Sequence, residues 1–482
     1  MPVSDSLGTP DPGKLGLHQA FRSWTNPDVG GPSFGGLVVL DASALLHLYR
    51  VTRAAREQVF ATLKNVEDRL WVPHQAATEF HRNRRGVVEG KMAQFRDMRL
   101  TLAQASAVAV SNLKKSVQRL VEFRQYNMAG RDWAPQEHGL DEKSIHDRLV
   151  GLMDSALAEL KALQEEHDIG PGDIGNEDPI LQRLDLLTRG RIGKPYSQPQ
   201  LTKIVSEAID FRFPNEIPPG YKDAGKKSPY GAAGDYVFWR QVLDRASEEP
   251  RHNLITLVTN DVKSDWWIFD KNGEPISPRP ELGQEMFECT GAQLRLLTLS
   301  GLLGTAAAKF PGSVSVETVR SVRRSETMTR IAETVSVLRA TDSEPLDSDL
   351  QSLPPFVFEQ LVLALLIAMG YQDVEPVVDS STSGYSVRAA HPHSNLASGI
   401  TLVAIERGSE PIESESIHAL VKAMQKHAAE SGMVVTTGEF SETAKKAIGA
   451  WDVQLIDGRR LLKLLHELLE IGATISTLSE EE

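Results

Sequence analysis

Two apolar runs that end in acidic residues constrain the fold of this chain most. Residues 37–40 (LVVL) lead directly into Asp41, and residues 254–258 (LITLV) lead through Thr259 and Asn260 into Asp261. Short, continuous apolar runs are typical of strands that are buried on both faces of a parallel sheet. Helical patterns separate the runs, so the sequence predicts an α/β fold with Asp41 and Asp261 at one edge of its sheet.

The middle of the sequence predicts a long helical hairpin inserted into this fold. One helical pattern continues from Gln75 to about Phe123, and a second continues from about Asp141 to His167. The loop between Gly130 and Gly139 joins them, so we expect an antiparallel pair. A helix of about 45 residues would reach roughly 65–70 Å. Such a hairpin could dimerise, bind a partner protein or clamp a substrate, and its pattern does not decide between these roles.

Changes in composition divide the 482 residues into several segments. Residues 1–35 are rich in Gly, Pro, Ser and Asp and predict a flexible arm, whereas the chain changes character after about residue 305. A second, smaller α/β pattern begins with a helix at Phe356. We therefore predict five parts: an arm over 1–35, an α/β domain over 36–305 with a helical insertion at about 84–210, a helix and linker over 306–352, a second domain over 353–475 and an acidic tail over 476–482.

Charge and cysteine content exclude some classes of protein. The net charge of -13 argues against a protein that coats nucleic acid by bulk electrostatics, although a site built from carboxylates remains compatible with it. The single cysteine, Cys289, excludes an internal disulfide framework and fits a reducing cytoplasm. No segment approaches the roughly 20 apolar residues that a membrane span needs. We expect a cytoplasmic protein without membrane contact.

Four carboxylates are the main candidates for a catalytic site. Asp41 and Asp261 close buried strands, whereas Glu79 and Asp235 open helices that would pack near the same edge. Each has an ordinary explanation as well. Asp41 and Asp235 suit helix N-caps, Asp261 suits a turn, and Glu79 could pair with Arg82 or Asn83 on a helix surface.

Convergence of these acids at one edge favours a metal site. Desolvated carboxylates that lie close together cannot all stay ionised without a cation. Hard divalent ions bind such oxygen clusters and support hydrolysis of phosphodiesters. The sequence therefore predicts a site for hard divalent cations that supports hydrolysis of phosphodiesters.

Several further residues are auxiliary candidates. Asp223 and the phosphate-binding candidates Lys226 and Lys227 lie in a Pro/Gly/Lys loop over 214–234, where turn chemistry and solvation are the alternatives. If a helical turn follows Asp261, Asp265 would share its face. The basic run at 81–85 offers Arg82 and Arg85 as phosphate contacts near Glu79, or else a solvated helix face.

The first α/β segment resembles the PIN-domain superfamily, in particular the larger PIN-like proteins of bacteria. The matching motifs are VVLDAS at 38–43, Val72-Pro73 through Glu79, PPGYKD at 218–223, Gly234-Asp235 with Trp239, Thr259-Asn260-Asp261 with Lys263, Asp265, Trp266 and Trp267, and RPEL at 279–282. The resemblance implies a three-layer α/β/α fold with Mg²⁺ or Mn²⁺ held by Asp41, Glu79, Asp235 and Asp261. It also implies Asp223 and Asp265 as auxiliary ligands and Lys263 as a substrate contact.

The C-terminal segment resembles the Mrr-like restriction-endonuclease fold. The matching motifs are FVFEQLV at 356–362, VVTTGEFS at 434–441 and LIDG at 455–458. The family's metal-binding Asp is replaced by Ser386, and its Glu/Gln-x-Lys motif reads Ala404-Ile405-Glu406. Loss of the acid and the lysine removes metal ligation and charge stabilisation, so we expect a catalytically inactive domain kept for DNA binding, assembly or sensing.

These features lead to one leading hypothesis and two alternatives. The leading hypothesis is a metal-dependent endonuclease acting on RNA, as an effector of a bacterial defence or toxin system; the biological role comes only from the resemblance. One alternative is a catalytically inert nucleic-acid-binding or scaffold protein. The other is a DNA nuclease targeted by the C-terminal domain. A homo-oligomer or a partner protein could form through the hairpin or the C-terminal domain.

Overall fold

A computed structural model describes most of the chain. The described residues are 22–25, 35–126, 134–176, 178–226, 228–249, 252–269, 275–340, 349–353, 355–377, 385–390, 399–449 and 451–476. Most of the predicted N-terminal arm, most of the predicted acidic tail and Lys227 therefore lie outside the described residues. The chain divides into two compact units. The first contains the described parts of Val29–Asp261 and Glu285–Arg323, and the second those of Phe21–Asp28, Val262–Gln284 and Arg324–Glu482.

The elements of the N-terminal half alternate between strand and helix, with one long helical stretch. In chain order they are α1 (Arg22–Thr25), β1 (Leu37–Leu40), α2 (Ala42–His47), α3 (Arg53–Lys64), β2 (Leu70–Trp71), α4 (His74–Tyr126), α5 (Glu142–His167), α6 (Pro171–Asn176), α7 (Pro179–Thr188), α8 (Gln198–Glu207), α9 (Pro229–Ala232), α10 (Gly234–Glu248), β3 (Leu254–Val258), β4 (Trp267–Phe269), β5 (Pro275–Pro278), α11 (Pro280–Thr290), β6 (Gln293–Leu297), α12 (Leu299–Lys309) and α13 (Val316–Ala340). A π-helical turn, Ala208–Arg212, extends α8.

A four-stranded sheet is the centre of the first unit. Its order is β2-β1-β3-β6, and all three pairings are parallel. Every residue of β1 and β3 is buried, as the apolar runs predict. Gly36 allows β1 to begin here, because its φ is +78° and a Cβ would lie 1.8 Å from the Leu254 carbonyl oxygen. The parallel arrangement brings the segments after β1 and β3 to the same edge.

The long helical insertion forms the predicted antiparallel hairpin. Helix α4 has 53 residues, which corresponds to about 80 Å, and α5 has 26. Lys114 of α4 pairs with Glu142 at the start of α5, whereas Arg99 contacts Gln164 near its end. Arg56 anchors the base of the hairpin, since it is 3% exposed and donates to Asp168 directly after α5.

The C-terminal part of the second unit is a separate α/β layer structure. It contains α14 (Pro355–Ala368), β7 (Gln372–Pro376), β8 (Tyr385–Ala390), β9 (Ile400–Glu406), α15 (Ser414–Lys426), β10 (Ser431–Thr436), α16 (Glu442–Ala447), β11 (Val453–Ile456) and α17 (Gly458–Leu469). The sheet order is β11-β10-β9-β8-β7; the pairs among β9, β10 and β11 are parallel, and β7 and β8 join antiparallel. One core lies between this sheet and α14 and α17, and another lies beneath α15.

The predicted fold class is confirmed: a parallel α/β sheet with an inserted helical hairpin, followed by a second, smaller α/β fold. None of the helices in the described part of the chain is long and apolar enough to cross a membrane.

Candidate active site

Asp41 occupies the turn between β1 and α2, where the backbone and two hydroxyl groups hold its carboxylate. Its N–H donates to the Val258 carbonyl oxygen at 3.0 Å, which continues the pairing of β1 with β3. Its Oδ1 accepts from the Ala42 N–H at 2.7 Å, so the N-cap expected from the sequence is present. Its Oδ2 accepts from the hydroxyls of Ser43 at 2.5 Å and Thr259 at 2.9 Å.

Ser43 and Thr259 also connect Asp41 to the segment that follows β3. The Asn260 N–H donates to Ser43 Oγ at 2.9 Å, and the Asp261 N–H donates to Thr259 Oγ1 at 3.1 Å. Each hydroxyl therefore accepts from one backbone amide and donates to the Asp41 carboxylate. The backbone of Asp261 is thus tied to Asp41 through one side chain, at the carboxyl edge that the two strands share.

Glu79 lies in the second turn of α4 and is only partly exposed. Its Oε1 accepts from Gln75 Nε2 at 2.6 Å, one helical turn earlier, so the alternative pairing with Arg82 or Asn83 is wrong. Burial raises the pKa of Glu79 to about 7, and the negative charges of Asp41 and Asp235 add to the increase. These causes place Glu79 in a poorly solvated pocket of like charges.

Asp235 is the second residue of α10, whose N-cap is Ala233. The N-cap alternative for Asp235 is therefore wrong. Burial raises the pKa of Asp41 despite its hydrogen bonds, and the charge of Asp235 raises it further. The structure therefore brings Asp41, Glu79 and Asp235 into mutual electrostatic range.

Gly234 permits this close approach of α10 to α4. A Cβ at this position would lie 3.1 Å from Glu79 Oε1, which is tighter than most real Cβ contacts, and 3.5 Å from Gln75 Nε2, an ordinary van der Waals distance. The helix that carries Asp235 thus packs against the Gln75–Glu79 pair at its first residue. Because Gly234 has no side chain, the carboxylates of Asp235 and Glu79 can lie near each other.

The donor set fits a hard divalent cation. Asp41, Glu79 and Asp235 offer carboxylate oxygens, the ligands that Mg²⁺ and Mn²⁺ prefer, and their mutual repulsion is what a cation would relieve. Among the described residues, no three His, Cys, Asp or Glu side chains converge tightly enough to form a ready-made metal site. Backbone amides and two hydroxyls hold the Asp41 carboxylate, and the Gln75 amide holds one oxygen of Glu79.

The auxiliary candidates lie in different surroundings. Asp223 accepts from Lys226 Nζ at 2.6 Å in the loop before α9, and the charge of Lys226 lowers the pKa of Glu79. Arg82 is exposed on α4, three residues after Glu79, whereas Arg85 pairs with Glu89 on the helix surface. Lys226 is thus a predicted substrate contact whose charge also acts on the carboxylates.

Lys263 and Asp265 belong to the second unit. The helical turn that would place Asp261 and Asp265 on one face is not formed, because residues 261–263 belong to no helix or strand and residues 264–266 form a turn. Asp265 is completely buried there. The metal-ligating and substrate-binding roles assigned to these two residues stay predictions.

Three residues at this site were not predicted from the sequence. Gln75 binds Glu79, and its backbone N–H donates to the Gln241 side-chain oxygen at 2.9 Å. Ser43 and Thr259 lie inside motifs that were noted, but no role was assigned to their hydroxyls. The spacing of four residues between Gln75 and Glu79 was the one signal that could have revealed a side-chain pair.

The family comparison bears directly on this edge of the sheet. A family model described as a PIN like domain matches residues 37–282, just over half of the chain, and spans Asp41, Glu79, Asp235 and Asp261. The chain belongs to the PIN-like domain family. A second model, described as a restriction endonuclease and named Mrr_cat, matches residues 350–465. This PIN-like protein therefore combines two domain types that support a nuclease function.

Two solved structures show a weak likeness to this PIN-like protein. The DNA modification-dependent restriction endonuclease AspBHI is 13% identical over 52% of this chain and 72% of its own, with a TM-score of 0.21. The MspJI restriction endonuclease in complex with a 27-mer oligonucleotide is 16% identical over 42% of this chain and 45% of its own, with a TM-score of 0.19. Scores this low add nothing to the argument. No match to a curated protein was found.

The restriction-endonuclease-like domain places its altered positions together. Ser386 on β8 pairs with Ala404 on β9, so two of the positions expected to be altered are cross-strand neighbours. Glu406, two residues further along β9, accepts from Ser416 Oγ at 3.1 Å, and burial raises its pKa. The substitutions expected to remove activity therefore lie next to each other on one sheet.

Proposed function

We propose that this PIN-like protein is a divalent-metal-dependent endonuclease that hydrolyses phosphodiester bonds. One observation carries the proposal: at the carboxyl edge of a parallel sheet, within the region matched by the PIN-like family, burial and the negative charge of Asp235 raise the pKa values of Asp41 and Glu79. Buried like charges are costly, and a fold retains them where a cation or a reaction uses them.

The residues around the cluster suggest a division of roles. Asp41, Glu79 and Asp235 would hold Mg²⁺ or Mn²⁺, with Asp261 as a further ligand tied to Asp41 through Thr259. When bound, the metal supplies charge neutralisation and Lewis-acid chemistry at the phosphodiester. Ser43 and Thr259 hold Asp41 Oδ2, and the ammonium group of Lys226, which pairs with Asp223, would contact a substrate phosphate.

RNA is the proposed substrate, since the PIN-like resemblance implies it. DNA is the second candidate, and the specific observation that favours it is the match of residues 350–465 to a restriction-endonuclease model. In that case the C-terminal domain would bind the DNA without cutting it, because Ser386 and Glu406 stand where the family has its metal-binding Asp and its Lys. A role in defence against foreign nucleic acid rests on the pairing of the two domain types alone.

Cleavage assays with the full chain test the function. Structured RNA, single-stranded DNA and duplex DNA are each incubated with Mn²⁺, Mg²⁺ or EDTA, and products are resolved on denaturing gels. We expect cleavage of RNA with Mn²⁺ or Mg²⁺, and at least a roughly 100-fold loss in Asp235→Asn, a typical cost of removing a catalytic electrostatic group. Asp185→Asn, at an exposed aspartate of α7, is the control. Undiminished cleavage in Asp235→Asn would refute the site, and cleavage of DNA alone would replace RNA as substrate.

A further inference from the structure

Gln75 connects three elements around the candidate metal site. It is 4% exposed, and both ends of its side-chain amide are used. Nε2 donates to Glu79 Oε1 at 2.6 Å, whereas Oε1 accepts from the Tyr230 hydroxyl at 2.9 Å. Its backbone N–H donates to Gln241 Oε1 of α10 at 2.9 Å. One side chain thus joins α4, α9 and a carboxylate, while its backbone joins α10.

The chemistry of Gln75 fixes its orientation. An amide presents one acceptor oxygen and one donor nitrogen, and the ionised form of the Glu79 carboxylate only accepts. The nitrogen must therefore face Glu79, which leaves the oxygen for the Tyr230 hydroxyl. Reversal of the amide would place two acceptors against each other in a buried site, at a substantial cost. The position of Glu79 and the position of Tyr230 are consequently linked.

Tyr230 belongs to the segment that carries Lys226. It lies in α9, four residues after Lys226, and α9 leads directly into Gly234 and Asp235. Lys226 pairs with Asp223 of the same loop, and its positive charge acts on Glu79. The Tyr230–Gln75 bond is therefore the direct hydrogen bond from this loop to the side chain that holds Glu79.

We propose that Gln75 is a positioning residue that couples the docked loop carrying Lys226 to the orientation of the Glu79 carboxylate. The proposal rests on the proposed function, in which Glu79 binds the metal and Lys226 contacts the substrate phosphate. Gln75 touches neither. Its amide nitrogen binds one Glu79 oxygen and leaves the other oxygen for the cation. Through Tyr230, its amide oxygen holds the loop in the position from which Lys226 contacts the substrate phosphate.

Mn²⁺ binding and kinetics on the full chain test this coupling. Gln75→Met keeps the length and burial of the side chain but removes both hydrogen bonds. We expect it to weaken Mn²⁺ binding, measured by calorimetry with Mn²⁺ alone, by about tenfold, and to lower kcat by a similar factor. Tyr230→Phe removes only the loop contact, so it should raise KM by several-fold with a smaller effect on Mn²⁺ affinity. Gln118→Met is the matched control, because Gln118 makes the same i,i+4 bond to Glu122 on an exposed part of α4.

The double variant separates coupling from a merely structural role. If both contacts act through Gln75, Gln75→Met/Tyr230→Phe should bind and cleave no worse than Gln75→Met alone. The proposal would be overturned if the effects of the two substitutions multiply in the double variant. It would also be overturned if Gln75→Met stays within twofold of the wild type in both Mn²⁺ affinity and kcat. Melting curves in EDTA verify that each variant is folded.

A metal-free measurement distinguishes failure of this proposal from failure of the function. Hydrogen exchange in EDTA reports the opening of residues 228–233. Gln75→Met and Glu79→Ala should both speed exchange there, since each disrupts the Glu79–Gln75–Tyr230 chain. Unchanged exchange in Glu79→Ala would refute the coupling even if the enzyme is active. If exchange is faster in both variants but the wild type neither binds Mn²⁺ nor cleaves nucleic acid, the coupling is supported and the proposed function is rejected.

Discussion

Replacing Glu79 by glutamine should stabilise the metal-free protein while weakening its metal binding. The pKa of Glu79 is about 7 in the fold, against an ordinary value of 4.5, because of burial first and the charge of Asp41 second. The folded state therefore favours the protonated form. As the pH rises from 4.5 through 7, the unfolded chain ionises this carboxyl more readily than the folded chain does, so stability falls across that window.

The magnitude follows from the two pKa values. Their difference of about 2.5 corresponds to roughly 3 kcal/mol at 1.36 kcal/mol per pH unit, fully expressed above about pH 7. At pH 5 the loss of folding stability caused by Glu79 is below about 1 kcal/mol, because Glu79 is still protonated in the folded state. Glu79→Gln removes the charge but leaves an oxygen that can accept from Gln75 Nε2.

Urea unfolding in EDTA at pH 5 and pH 8 measures this effect. We expect Glu79→Gln to be more stable than the wild type by about 3 kcal/mol at pH 8 and by less than about 1 kcal/mol at pH 5. Glu122→Gln, at an exposed glutamate of the same helix with the same i,i+4 glutamine partner, should show no such pH dependence. A Glu79→Gln variant destabilised equally at both pH values would show that Glu79 is an ordinary hydrogen-bonded side chain.

Three further substitutions probe the surroundings of the site. Gly234→Ala should lower Mn²⁺-dependent cleavage by about tenfold, because a Cβ would press on Glu79 Oε1. The same substitution should improve helix propensity by up to about 1 kcal/mol. A fall in activity that tracks a fall in melting temperature would contradict this prediction. Lys226→Gln should raise KM several-fold and reduce the slope of log binding against log salt by about one, whereas Lys203→Gln on α8 should do neither. Glu406→Gln should leave the cleavage rate within twofold, because we expect no chemistry from the restriction-endonuclease-like domain; a large loss in a folded variant would contradict that expectation.

The sequence predicted the elements with strong patterns. The buried strands β1 and β3 and the hairpin of α4 and α5 were recognisable because each is either continuously apolar or periodic over many residues. Strand β6 was missed, since its sequence QLRLL carries Arg295, an unusual residue for a position only 8% exposed. Strands β7 and β8 were missed as well, because they pair antiparallel at the edge of their sheet and mix polar with apolar residues.

The residues of the candidate site also divide into those that the sequence predicted and those that it did not. The acids could be named from the ends of strands, since parallel strands place those ends at one edge. Their partners could not, because the contacts of Gln75 with Tyr230 and Gln241 join positions 155 and 166 residues apart. Packing sets such contacts, and no local pattern records them. One partner was within reach, because Gln75 lies four residues before Glu79 on the same helix.

Mn²⁺ binding by the carboxylate cluster is the most direct test of the central claim. The full chain and its Asp41→Asn, Glu79→Gln and Asp235→Asn variants are titrated with Mn²⁺ by calorimetry, with Asp185→Asn as the control. Asp41→Asn should fold, because the hydroxyls of Ser43 and Thr259 can turn to accept from the new amide. We predict that the wild type and Asp185→Asn bind Mn²⁺ alike and that each cluster variant binds at least about tenfold more weakly. Equal binding by all of these proteins would contradict the account.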